Sequence, residues 1–194
     1  MWGLFEAPAA TMRRIVIARH KNYVILLSCL FGIALVLGII WALSLGRQFG
    51  GLGPTLAVGV LAGPVAGLLA VVLIGLVVRQ VSRLLGGHAT MRETLSMVAY
   101  AMVPIVISLV LILPIEIAVF GQYLFDNNPP PLVINPPAFI GLVALDVLAV
   151  LWAWVLLITG TRVAQRLTRP RAVLSTLAVP ALVAIVAEGL RLVR

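Results

Sequence analysis

Residues 54–78 read PTLAVGVLAGPVAGLLAVVLIGLVV, and Arg79 follows directly. No side chain in that stretch ionises. As a helix rising 1.5 Å per residue it reaches about 37 Å, enough to cross roughly 30 Å of hydrocarbon. In lipid a single helix is the element that satisfies its own backbone. The stretch therefore reads as a membrane span. Working outward, residues 23–45 carry no charge between Lys21 and Arg47. Residues 95–121 are interrupted only by Glu116, and residues 138–161 only by Asp146. Residues 172–192 contain Pro180 and, near their end, Glu188. The expected fold is all-α, a polytopic transmembrane helical bundle of about five spans over residues 23–194, preceded by an arm at 1–22.

Composition leaves no room for a soluble domain. The chain has 194 residues, 62% hydrophobic and only 10% charged, against about 25% charged in a soluble domain. The net charge of +8 would raise nucleic acid as a partner in a soluble protein. Here Lys and Arg fall between the apolar blocks, so membrane lipids with anionic head groups are the expected partners and nucleic acid is not. Cys29 is the single cysteine and sits within an apolar block, where it reads as a small core residue. The arm mixes Trp2, Leu4, Phe5, Met12 and Ile15 with Arg13, Arg14, Arg19 and Lys21. That pattern suits a helix lying in the interface and not a cleaved signal segment, whose apolar core is short.

The basic residues also set direction, because they are retained on the cytoplasmic side. The arm holds the four cations just named. The second connection holds Arg79, Arg83 and Arg92, and the fourth holds Arg162, Arg166, Arg169 and Arg171. The opposite ends hold Arg47, Arg191 and Arg194. Five spans then place the N-terminus in the cytoplasm and the C-terminus outside, in a membrane expected to be the cytoplasmic (inner) membrane of a prokaryote. A four-span alternative lays the last block on the surface. The third connection, residues 122–137, carries no basic residue and is rich in Pro and Asn. It reads as a stiff, extended external loop.

Lipid tails are as apolar as leucine, so spans associate through close backbone approach at small residues. Gly59, Gly63 and Gly67 recur every four residues in span two, and span one offers Ala34, Gly38, Ala42 and Gly46. Spans one and two are expected to pack along these ridges. A homodimer through the span-two ridge is the sharper alternative; another membrane protein is also a candidate partner. Pro104 and Pro114 make span three the least straight.

Three acidic residues lie within the blocks. Asp146 is roughly 12 Å deep, where a charge costs about 2.5–3.5 kcal/mol on insertion scales. It must face protein or a wet cavity, or be protonated. Glu116 and Glu188 sit nearer the outer boundary, where water or Arg191 could solvate them. Asp146, Glu116 and Glu188 form a candidate intramembrane polar site, for a cation or proton or simply as hydrogen-bonding glue. No metal site is expected, since His20 and His88 have no companions at ligand spacing. No nucleophile set and no phosphate loop is present, so neither catalysis nor a cofactor is expected.

The segment from Leu84 to Leu95, containing Gly86, Gly87 and His88, leads into Tyr100 and Pro104. With Pro8, Thr11, Arg13 and Ile15 of the arm, it resembles the Yip family, in its short prokaryotic form. The resemblance implies five spans, an internal N-terminus, and Gly86, Gly87, Tyr100 and Pro104 as family-motif residues. Eukaryotic members bind Rab-type GTPases. This chain shows neither their long N-terminal region nor their Asp-Leu-Tyr-Gly-Pro motif, which counts against GTPase binding. The resemblance implies a non-enzymatic protein with a scaffold or membrane-organising role. The alternative from the residues alone is a small transporter or channel subunit that uses Asp146.

Overall fold

The computed structural model describes the backbone of residues 23–192 and side chains as far as residue 181. The arm expected at 1–22, the Glu188 side chain and Arg191 lie outside the described residues. Those residues form helices and no strand: α1 (Val24–Ala42), α2 (Gly46–Phe49), α3 (Leu52–Leu84), α4 (Met91–Ala101), α5 (Val103–Phe120), α6 (Tyr123–Asp126), α7 (Pro131–Ile134), α8 (Pro136–Gln165) and α9 (Arg169–Leu192). Val24–Ala42, Leu52–Leu84, Met91–Phe120 and Pro136–Gln165 are long and apolar enough to cross a membrane. The 24-residue α9 opens on Arg169 and Arg171. The fold is an all-helical bundle of four to five candidate spans.

The helices do not stop where the charges begin. The 33-residue α3 runs past Arg79 and Arg83, because arginine is a good helix former. It stops at a backbone signal. Gly86 adopts φ +89°, its N–H bonds the Arg83 carbonyl at 3.1 Å, and the Gly87 N–H bonds the Ser82 carbonyl at 2.7 Å. This is the Schellman C-terminus, with glycine in the left-handed position. In the same way α8 continues past Arg162 and ends at Gln165, before Arg166 at φ 55°.

The third connection differs from the extended loop expected of it. It holds two single-turn helices, and α8 begins within its prolines. The reason is positional: proline in a first helical turn has no needed N–H to lose. Pro131 and Pro136 open α7 and α8, and Asn135 caps α8 through its side-chain oxygen, 3.3 Å from the Ala138 N–H. Span three breaks at Met102, between α4 and α5. Pro104 cannot donate to the Tyr100 carbonyl four residues back.

Two compact units divide the chain. One joins Ile25–Ala70 to Met102–Trp154. Its core is Leu37, Ile40, Phe120, Leu124 and Phe125, and Phe120 meets Phe139 edge to face at 5.9 Å. The other contains Val71–Ala101 and the chain from Val155 onward. Met97, Val98, Leu156 and Leu157 are buried there together with Ser82, Thr94, Thr161, Gln165, Ser175 and Thr176. Large apolar side chains such as Leu61, Leu69, Leu73 and Leu148 stay exposed, as they do where lipid is the solvent.

Candidate functional site

Within the unit of Ile25–Ala70 and Met102–Trp154, α1 and α3 cross at backbone contact. A Cβ built on Gly67 would strike the Ser28 carbonyl and the Gly32 backbone, and one on Gly32 would strike the Gly63 carbonyl. A Cβ on Gly63 would lie 2.6 Å from the Ile33 Cα, and one on Gly59 would lie 2.5 Å from the Leu37 side chain. The α3 ridge therefore faces α1 of the same chain. Its counterpart on α1 is Ser28, Gly32 and Leu37, not the ridge read from the sequence. Gly38 and Ala42 are exposed, and nothing lies within 4 Å of a Cβ on Gly38. Both helix faces offer small residues every four positions. The buried one also holds a serine, which the sequence reading passed over.

The same unit holds the membrane carboxyls. Ser108 of α5 donates a hydrogen bond to Oδ1 of Asp146 on α8. Glu116, two turns further along α5, lies near enough to Asp146 for the two carboxyls to influence each other. Glu116 is only 7% exposed, whereas Asp146 is half-buried. Glu116 is thus not the water-facing boundary residue expected from its position. Its side chain is buried on the side of Asp146. Ser108 was missed, although a hydroxyl in an otherwise apolar run was the signal for it.

The motif residues lie in the other unit, except Pro104 in the first turn of α5. Gly87 packs against α8: a Cβ there would sit 2.8 Å from Gln165 Oε1 and 2.9 Å from the Ser82 carbonyl. The fully buried Gln165 amide accepts from the Ala89 N–H at 3.0 Å and donates to Thr94 Oγ1 at 3.3 Å. Thr90 caps α4, with its N–H and hydroxyl 2.8 and 2.9 Å from Glu93 Oε2. This reciprocal arrangement is a capping box. Arg171 Nη1 reaches the Leu85 carbonyl at 3.3 Å. Tyr100 is buried, and His88 is exposed. The glycine pair has two separate duties: Gly86 supplies the left-handed turn and Gly87 the space for Gln165. Sequence reading missed Gln165; an amide in the last turn of an apolar helix was the available signal.

Among the described residues no cluster of His, Cys, Asp and Glu could hold a metal ion. No curated protein and no solved structure matches the chain. The family model described as the Yip1 domain matches residues 2–189. The motif segment that resembled the Yip family, from the loop bearing Gly86 and Gly87 to Tyr100 and Pro104, lies inside that match, and the chain belongs to the Yip1 domain family.

Proposed function

We propose that this Yip1-domain membrane protein is a non-enzymatic scaffold that organises membrane through helix–helix and lipid contacts. In this reading it sits in a prokaryotic cytoplasmic membrane with its N-terminus inside and its C-terminus outside. One observation supports it above others: the polar groups inside the apolar helices join one segment of the chain to another. Ser108 and Glu116 of α5 meet Asp146 of α8, and Gln165 holds the loop before α4. Polar groups so placed act as glue between membrane helices. Since the α3 glycines are covered by α1, association with a second copy would use another face.

A carrier or channel subunit is the second reading, favoured by the burial of Glu116 against Asp146. Ion flux into vesicles reconstituted with the pure protein separates the two. The scaffold reading expects no flux above protein-free vesicles. It expects Asp146→Asn to leave flux at zero while lowering stability by about 1 kcal/mol through the weakened hydrogen bonds. Flux in the native protein that falls in Asp146→Asn would overturn it.

A further inference from the structure

The unit containing Val71–Ala101 and the chain from Val155 onward gathers arginines from two connections. The connection after α3 is flanked by Arg83 and Arg92, and the connection between α8 and α9 by Arg162, Arg166, Arg169 and Arg171. All six are exposed. They are far apart in sequence, but the fold stitches the two connections together. Gln165 bonds Ala89 and Thr94, and Arg171 bonds the Leu85 carbonyl. Glu93 is the one acidic side chain among the described residues of this unit, and its carboxylate is already held by Thr90. Arg79 lies one turn nearer the apolar stretch, with its Nε shut off from solvent and without a hydrogen-bond partner. The patch thus concentrates positive charge that the described residues do not neutralise.

Its surroundings decide the partner. Leu84 follows Arg83 directly and Leu174 lies one turn after Arg171, and both are exposed; α3 presents exposed Val72, Leu73 and Leu76 before Arg79. A surface with guanidinium groups bordered by bare aliphatic side chains matches an amphiphile carrying phosphate next to acyl chains. Nucleic acid or an acidic peptide would leave the apolar border unused. We infer that the two stitched connections form one binding surface for anionic lipid head groups, selecting them from the surrounding bilayer. Each arginine near an anionic surface adds attraction that falls off within a Debye length. The inference needs only the membrane spans and not the scaffold role, so it survives if that role fails.

The test uses the full chain reconstituted in phosphatidylcholine containing phosphatidylglycerol. Spin-labelled lipids of each kind report the fraction held motionally restricted at the protein. The native chain should select phosphatidylglycerol over phosphatidylcholine about threefold or more, and high salt should reduce that ratio. R83Q/R92Q and R166Q/R169Q, one pair in each connection, should each lower the ratio, and the quadruple variant should lower it further than either pair. R47Q, an exposed arginine of the other unit, should leave it unchanged. No selectivity in the native chain would overturn the inference. So would an unchanged ratio in the quadruple variant, or an equal loss in R47Q. None of these outcomes depends on ion flux, which is the readout for the scaffold reading.

Discussion

Three glycines on α3 carry no side chain, and that sets how close α1 can come. Gly63 and Gly67 touch the Ile33, Ser28 and Gly32 backbone, where dispersion contacts and weak C–H···O bonds are densest. A side chain at Gly67 has nowhere to go, because its neighbour is backbone. Gly67→Val should destabilise the protein by about 1–3 kcal/mol, the usual cost of overpacking. Gly38→Leu, with open space around it, should stay within about 0.5 kcal/mol of the native chain. Thermal unfolding in detergent compares the two. Equal effects would place the contact on the wrong face of α1. At this scale the α3 glycines were legible, because small residues every four positions have one dominant physical use in a membrane helix. The matching face of α1 was not, since Ser28–Gly32 and Ala34–Gly38–Ala42 have the same spacing. Which of them is buried depends on the rotation of the helix, which only its neighbours determine. Gln165 was also illegible: its partners are separated from it by 71 and 76 residues.

Helix ends decide where elements stop, and in this chain they follow backbone chemistry more than charge. The expected span limits stood at the first arginines, but α3 and α8 continue to residues with positive φ, Gly86 and Arg166. Hydropathy marks where lipid ends; it says nothing of where a helix ends in water. The prolines of 129–137 mislead for a related reason, since proline stops a helix when interior but starts one when first. The start of α4 rests on Thr90 and Glu93, whose hydrogen bonds cap its free N–H groups. Thr90→Ala should cost about 0.5–2 kcal/mol and raise amide hydrogen exchange in the first turn of α4, leaving exchange in α5 unchanged. A loss spread evenly over both helices would show that the cap is not what secures this terminus.

For the molecule as a whole, the number of crossings governs everything outside the membrane. Basic residues on alternate connections predict opposite compartments for the two termini. Reporter tags at residues 1 and 194 should report cytoplasm and exterior respectively; a shared compartment would leave four crossings, with α9 on the surface. Lipid as solvent was legible from the sequence because it depends on block length and composition alone. The inward turn of Glu116 toward Asp146 was not, because sequence distance from a span end measures depth and not direction.

The length of α3 carries a consequence of its own. Its uncharged portion, residues 52–78, would measure about 40 Å as a helix, roughly 10 Å more than the hydrocarbon core of an average bilayer. Upright, it would push greasy side chains into the head-group layer. It must lean, or thicken the membrane around it, and either response costs fractions of a kcal/mol per ångström of mismatch. Membrane thickness thereby becomes a quantity this protein feels, and thicker bilayers will suit it better than thin ones.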